Sequence, residues 1–402
     1  MSFNTALSVR QKAAAQNKYP PVPKICVVTG GTGFVGTRLV EMLVERGAEK
    51  VICFDIVPKE KAVLVWDHPK IEYVVGDISV YSDVSNAIKG SDCVWHLAAA
   101  VGPFHPTHLY EKVNHLGTVN VIKACKEHGV KKLVFSSSPS TRFKGSLFHQ
   151  PNVDGLTEEQ MPKIPLKTYM QKYAETKAEG ELEVTAACSD DFWAVAVAPH
   201  QVYGPRDNLF LPNMLEAAGT GKLRVFGKGD NRICFTHVDN YCHGLIIAER
   251  QLYKDSPVLG KFYIVTDGDT HPEPAAYCVF WKELDKAVVG MGFPSIQARI
   301  HYPFMFLYIV ALFAEVLGMI MNTTFKLNVF NVFVLTMNRW FDISAAENDL
   351  KYQPIIPFDE GWQDTIEWFK ANWLPKFQQQ DHKSLVGIST SSQQKINIQA
   401  KK

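Results

Sequence analysis

Of the four glycines in Val28-Thr29-Gly30-Gly31-Thr32-Gly33-Phe34-Val35-Gly36, three recur at every third position (30, 33 and 36), at the end of a β-branched run (Ile25 to Thr29) and the opening of a helical stretch. A glycine triplet alone constrains little, but at a strand-to-helix junction each glycine has a job. Gly30 permits the tight turn, Gly33 lets a pyrophosphate approach the backbone, and Gly36 allows the new helix to pack closely. Phe34 and Val35 begin that helix, whose first N–H groups have no partner within it and face the same anion. The junction calls for a parallel sheet that binds a dinucleotide.

The acid expected of such a site is Asp55, which closes Val51-Ile52-Cys53-Phe54-Asp55. A carboxylate there accepts from the adenosine ribose and repels a 2′-phosphate, which favours NAD over NADP. The alternative is an ordinary turn aspartate at a strand end. Asp77 and Ile78, in Gly76-Asp77-Ile78, are placed to meet the adenine, with a helix N-cap as the competing role for Asp77.

From Lys24 onward, short β-branched runs alternate with helical stretches: Val51 to Phe54, Ile71 to Val75, Cys93 to Leu97, Leu133 to Ser136 and Trp193 to Val197. That order predicts an α/β fold, a doubly wound parallel (Rossmann) sheet covered on both faces. After about residue 198 the alternation becomes irregular. The expected organisation is a disordered tail over 1–23, an NAD-binding core with the catalytic residues over 24–198, a smaller substrate-binding lobe over 199–375, and a second disordered tail over 376–402. Lys plus Arg number 42 against 41 Asp plus Glu, so charge gives no reason to expect nucleic acid as a partner. Eight scattered cysteines without a C-x-x-C pair read as free buried thiols, and no metal site is expected.

One segment departs from an ordinary core. Tyr302 to Met321 is twenty residues with a single charge, Glu315, and a shorter apolar stretch follows from Phe325 to Met337. The length can span a bilayer. However, Phe341 to Trp368 resembles the end of the same globular body, so the chain has to return. A monotopic or re-entrant membrane element over 302–337 is preferred to a single span, with a buried helix pair as the third reading. Asn322-Thr323-Thr324 is a glycosylation sequon by pattern.

Tyr173-Ala174-Glu175-Thr176-Lys177 puts a phenol and an ammonium on one helix face. Oxidising an alcohol needs a base, and bringing a phenol from a pKa of ~10 to ~7 takes about 4 kcal/mol, roughly what one cation at ~4 Å supplies at an effective dielectric of ~20. The tetrad Y-x-x-x-K is common on solvated helices, so its weight comes from its company. Ser136-Ser137-Ser138 follows the strand Leu133 to Phe135, at the carboxyl edge where parallel sheets bind ligands. Ser138 there is either a donor to the substrate oxygen or simply a loop former.

Together with His96-Leu97-Ala98-Ala99 and Asn114, these motifs resemble the extended short-chain dehydrogenases over most of Lys24 to Trp368. The runs Pro199-His200-Gln201-Val202-Tyr203-Gly204-Pro205-Arg206-Asp207 and Phe235-Thr236-His237-Val238-Asp239-Asn240 are similar to the 3β-hydroxysteroid dehydrogenase branch. The resemblance implies that Ser138, Tyr173 and Lys177 are catalytic, with Asn114 in a proton relay, and that Ala98, Ala99, Tyr173, Lys177, Pro199 and Val202 lie beside NAD. It is closest to members that oxidise the 3β-hydroxyl of a 4α-carboxysterol with loss of carbon dioxide. In that case His200 or Arg206 holds the carboxylate, with a turn role the equal alternative for Arg206. Ala198 stands where many relatives carry arginine, and Pro139 where a small residue is usual. Competing activities are 3β-hydroxysteroid dehydrogenation with Δ5-Δ4 isomerisation, nucleotide-sugar epimerisation or dehydration, and a silent NAD-binding sensor. The implied setting is the cytosolic face of the endoplasmic reticulum membrane or a lipid droplet, with a second copy or other sterol-demethylation enzymes as protein partners.

Overall fold

The computed structural model describes residues 21–102, 105–146, 151–272, 276–321, 325 and 327–379. Seven parallel strands form the main sheet: β1 (Ile25–Thr29), β2 (Lys50–Asp55), β3 (Ile71–Val75), β4 (Cys93–His96), β5 (Lys132–Ser136), β6 (Trp193–Pro199) and β7 (Phe262–Val265), in the spatial order β7-β6-β5-β4-β1-β2-β3. The doubly wound expectation therefore holds. Its central strands are apolar along their whole length because helices cover both faces. On one face α1 (Phe34–Glu45) is joined by Val238–Arg250, a later helix that returns to the sheet. The other face carries α2 (Tyr81–Ile88), α3 (Gly117–Glu127) and α4 (Lys172–Ala187).

A second lobe grows from the carboxyl edge. Its four-stranded sheet runs in the order Cys278–Val279, Arg232–Ile233, Arg339–Phe341, Val153–Leu156. Beside it an aromatic core of Phe235, Phe280, Trp281, Phe358 and Trp362 is packed by α5 (Leu211–Gly219), α7 (Phe280–Gly290), and two further helices of the lobe, Phe358–Asn372 and Leu374–Gln379, while the helix that returns to the main sheet is α6 (Val238–Arg250). The molecule does not divide at residue 198. Val153–Leu156 precedes β6 yet pairs with the lobe strand Arg339–Phe341, while α6 and β7 come after residue 198 and complete the main sheet. The body also exceeds its expected ends: Val22 is buried and its N–H meets the Arg46 carbonyl, and Phe377 is buried against Trp373 and Phe293. Residues 1–20 and 380–402, the rest of the two expected tails, lie outside the described residues, as does the sequon at 322–324.

The apolar segment forms α8 (Phe304–Met321) and α9 (Val329–Thr336). No described helix is long and apolar enough to cross a membrane. Leu307 and Ala311 of α8 pack on Val329, Val332 and Phe333 of α9, whereas Phe306, Ile309, Phe313, Val316, Leu317 and Ile320 are exposed. The buried-pair reading is thus half right, with one side of α8 uncovered. Glu315, the single charge, accepts from the Val329 N–H at 2.9 Å, satisfying a donor that the start of α9 leaves free.

Candidate active site

The glycine loop has the geometry its sequence demands. Gly30 adopts φ +71°, its N–H donating to the Phe54 carbonyl at 2.8 Å. A Cβ on Gly30 would stand 2.8 Å from the Ala98 nitrogen, and one on Gly36 only 2.0 Å from the Gly30 carbonyl oxygen. Both positions need glycine for close approach. At Gly33 the nearest protein atom to such a Cβ is the Gly30 oxygen at 3.3 Å, leaving that side of the backbone open toward the start of α1. Phe34 buries its ring in the core and Val35 packs beside it, so they serve the loop through their backbone N–H groups.

Asp55 ends β2 and accepts from the Thr32 N–H at 3.1 Å and the Val57 N–H at 3.0 Å. It fixes the loop and turns its own strand end, and with about four acceptor sites on a carboxylate it keeps capacity for a ribose hydroxyl. Asp77 accepts from Ser79 through both N–H (2.9 Å) and Oγ (2.6 Å), with Lys112 at 3.6 Å. Burial works against its charge, yet these bonds hold it below the usual carboxylate range. It shapes the turn before α2, where Val80 is the N-cap residue. Ile78 is buried against Gly117. A dinucleotide fits this cradle: an open helix N-terminus, a glycine turn sealed against the Ala98 backbone, and an acid at the second strand end.

The chemical residues converge at the same edge. Ser136 ends β5 in register with Val197 of β6, and the Ser137 N–H continues the ladder to the Val197 carbonyl at 2.9 Å. Ser138 therefore stands beside Pro199 at the ends of adjacent strands. Its Oγ caps the turn Pro139–Arg142 and meets Ser140 Oγ at 2.8 Å. Pro139, the departure from the usual small residue, occupies the first position of that turn, where a missing N–H costs nothing.

Tyr173 opens α4 with its ring 6.5 Å from that of Tyr110. Burial pushes its phenol up to about 12, a hydrogen bond with Ser138 works against this, and Tyr110 adds to it. Lys177 is buried, donates to the Ser136 carbonyl and lies 4.1 Å from the centre of the Phe135 ring. Burial pulls its ammonium down to about 7, opposed by Glu181. Tyr173, Ser138 and Lys177 are thus brought to one edge of the sheet, and one of the three N–H donors of Lys177 goes to the Ser136 carbonyl.

Asn114 sits in a π-helical turn, Glu111–Leu116, that leads into α3. Its side chain accepts from the Ala100 N–H at 2.8 Å and donates to Thr176 Oγ1 at 3.1 Å. It ties the loop after β4 to α4 and makes no bond to Lys177. Ala98 and Ala99 lie in that loop, Ala98 N–H donating to Thr29 Oγ1 at 3.2 Å. Pro199 ends β6, and Val202 belongs to a short strand paired with Thr236–His237.

Arg206 takes the second of its two expected roles, a turn residue, and both side chains expected at the carboxylate are engaged within the protein. Arg206, at φ +75°, makes a bidentate pair with Glu41 of α1 at 2.6 and 2.8 Å, so it clamps the lobe to the sheet and its fork is occupied. His200 is buried with its Nδ1 2.7 Å from the Cys234 carbonyl and its Nε2 3.2 Å from Arg339 Nη1. A carbonyl only accepts, so Nδ1 carries the proton and Nε2 accepts from the guanidinium. Neither nitrogen is left for a ligand. Arg339 and Tyr241 are the residues that sequence reasoning missed. Tyr241 donates to Ser136 Oγ at 2.7 Å, and the signal for Arg339 was a cation inside the apolar strand-like run Arg339-Trp340-Phe341.

The 3-beta hydroxysteroid dehydrogenase/isomerase family model matches residues 27–291. The human "sterol-4-alpha-carboxylate 3-dehydrogenase, decarboxylating" is 32% identical over 354 residues, 86% of this chain and 88% of the human protein. The Arabidopsis thaliana "3beta-hydroxysteroid-dehydrogenase/decarboxylase isoform 1" is 34% identical over 370 residues, 87% of this chain and 81% of its own. Among solved structures, MoeE5 in complex with UDP-glucuronic acid and NAD matches with a TM-score of 0.62 at 21% identity, covering 86% of this chain and 99% of its own. The UDP-glucose 4-epimerase of Thermotoga maritima matches with a TM-score of 0.64 at 18% identity, covering 87% and 99%. These structural likenesses are of fold.

Proposed function

Because this chain belongs to the 3-beta hydroxysteroid dehydrogenase/isomerase family, we propose that it oxidises the 3β-hydroxyl of a 4α-carboxysterol with NAD and yields the decarboxylated 3-ketosteroid. The observation that carries the reading is the placing of Tyr173, Lys177 and the Ser136–Ser138 run at one sheet edge, where Lys177 donates to the Ser136 carbonyl, together with a glycine loop shaped for a dinucleotide. Two of the relatives already described carry this activity, a 3-dehydrogenase or 3β-hydroxysteroid dehydrogenase with decarboxylation, in their names.

Gly30 to Gly36 and Asp55 would hold NAD, which when bound would supply the acceptor for the hydride of C3. Ser138 and Tyr173 hold the 3-oxygen, and Tyr173 takes the hydroxyl proton as the carbinol becomes a ketone. Lys177 and the Ser136 carbonyl fix the floor beneath that pair. The product is a β-keto acid. When its C4–carboxyl bond breaks, the electron pair moves into an enolate whose oxygen is the one that Tyr173 and Ser138 already hold, carbon dioxide leaves, and a proton returns to C4.

The uncovered face of α8 supports attachment to a lipid surface, and residues 302–337 are the proposed monotopic element. A sterol dissolved in the bilayer then enters from the membrane side. The cytosolic face of the endoplasmic reticulum or a lipid droplet is the proposed setting, and a second copy or other sterol-demethylation enzymes are the proposed partners.

The test is NADH formation by detergent-solubilised protein over a 4α-carboxy-3β-hydroxysterol, a 3β-hydroxy-Δ5-steroid and a UDP-sugar, each with NAD and NADP. The expected result is turnover of the sterol acid with NAD and matching carbon dioxide release. Turnover of the Δ5-steroid alone would replace this reading with the dehydrogenase/isomerase activity, and turnover of the UDP-sugar would remove the sterol altogether.

A further inference from the structure

We propose that Arg339 receives the carboxylate of the substrate and that His200 positions it. The inference rests on the reading of the chain as a 4-carboxysterol dehydrogenase and names the group that makes it select the acid.

Arg339 is 6% exposed, and its Nε has no hydrogen-bond partner. Among the described residues its side chain has His200 as hydrogen-bond partner and no carboxylate within ion-pair distance. The contrast with other arginines is sharp: Arg38 is held by Asp239 and Glu45, Arg142 by Glu181, and Arg206 by Glu41. His200 contributes no compensating charge, because its Nδ1 proton goes to Cys234 and its Nε2 only accepts. Phe341 packs edge-on against the imidazole at 5.2 Å and keeps the ring from turning. A guanidinium taken out of water without an anion costs several kcal/mol. An incoming carboxylate removes that cost and finds a planar donor fork already aimed.

The location is the one that the substrate requires. His200 directly follows Pro199, which stands beside Ser138 at the ends of β6 and β5. Ser138 lies close enough to Tyr173 to offset part of the upward push that burial gives its phenol. In a 4-carboxy-3-hydroxysterol the carboxylate is carried by the ring carbon next to the carbinol. Its anchor must therefore lie close to the 3-oxygen site, and His200, one residue beyond Pro199 at the end of β6, holds Arg339 at its Nε2. Arg142, another cation near this edge, is neutralised by Glu181.

The chemistry divides the role further. Oxidation leaves the carboxylate intact, so a guanidinium bound to it aids binding and orientation for that step. In decarboxylation the carboxylate loses its charge to become neutral carbon dioxide while the electrons pass to the enolate, so the same contact weakens toward the transition state. Arg339 therefore acts in capture of the acid and its effect falls mainly on KM.

The experiment compares kcat/KM for the 4α-carboxy-3β-hydroxysterol with that for the matching 4α-methyl-3β-hydroxysterol, in wild type, Arg339→Gln and Arg339→Lys, using the full chain in detergent. The expected result is that the acid-over-methyl selectivity falls roughly 30-fold or more in Arg339→Gln, chiefly through KM. Arg339→Lys keeps the charge but lacks the fork, and its selectivity should fall about tenfold. If Arg339→Gln does not fold, the lysine variant decides alone. Unchanged selectivity, or an equal loss on both sterols, would show a purely structural arginine and overturn the proposal. A wild type that does not oxidise the acid sinks the underlying reading itself, which separates the two failures.

Discussion

A tyrosine whose phenol is pushed up to about 12 is a poor base until something else joins the site. Burial dominates at Tyr173, and Ser138 offsets only part of it. The substrate hydroxyl must therefore be met by Tyr173 and Ser138 together, with the positive charge needed for phenolate formation arriving with the bound reactants. Tyr173→Phe should lower kcat by 10²–10⁴-fold, the usual share of a general base, while NAD still raises the Tm. Equal loss of both would show that Tyr173 builds the fold rather than moves a proton. These residues were legible in the sequence because their roles are local: Gly30, Gly33 and Gly36 lie within one turn, and Tyr173 and Lys177 within one helix face. A carboxylate-binding role for His200 and Arg206 stayed open in the sequence because their partners are distant in the chain. Arg206 finds Glu41 165 residues away and His200 finds Arg339 139 residues away, and no spacing rule reports such a pairing. Asp55 lies between these cases, its position readable but its hold on the Thr32 N–H visible only in the fold.

Among the elements, α8 shows why periodicity failed. Nearly every position from Phe304 to Met321 is apolar, so the sequence has no contrast from which to read a buried and an exposed side. Packing against α9 makes the distinction: Leu307 and Ala311 go inward, while Phe313 is 74% and Ile320 77% exposed. At 18 residues the helix is about 27 Å long, short of a typical ~30 Å hydrocarbon core. The uncovered apolar row instead suits a helix lying in the interface. Phe313→Glu combined with Ile320→Glu should weaken partition onto phosphatidylcholine vesicles by roughly tenfold or more, since each side chain gives up about 1 kcal/mol or more of burial in lipid. Because neither side chain packs inward, Tm in detergent should stay within a few degrees. Unaltered cosedimentation with vesicles would remove α8 as the lipid contact. The parallel sheet, by contrast, was readable from β1 to β6. Its seventh strand was not, because β7 comes after the irregular lobe begins and returns to the sheet only through contacts with β6.

Across the whole molecule, the sheet and lobe are joined by buried polar groups whose charge states make stability depend on pH. Burial holds His96 and His243 down to about 3 and His237 and His271 to about 4, and it puts His200 well below the ordinary range. In the unfolded chain all five bind protons below about pH 6.5. Their contribution to stability is therefore present above that pH and is lost as pH falls. Burial moves two acids the other way, Asp267 up to about 7 and Asp207 to about 6. Their folded forms keep a proton that the unfolded chain has released, so their contribution is present at low pH and lost as pH rises through 6 to 7. Near pH 5 the unfolded state then binds five protons at these histidines against two held by the folded acids, an excess of three for the unfolded state. Stability must rise with pH there, by roughly 4 kcal/mol per unit. Above pH 6.5 the histidine effect fades, and deprotonation of Asp267 offsets part of what remains, so the slope flattens. Thermal melts of the solubilised protein from pH 4.5 to 8 should show a steep fall in Tm on the acid side and a plateau above about pH 7. A flat profile between pH 5 and 6.5 would mean that these histidines take up protons in the folded state, and with a charged His200 the orientation of Arg339 could not be maintained.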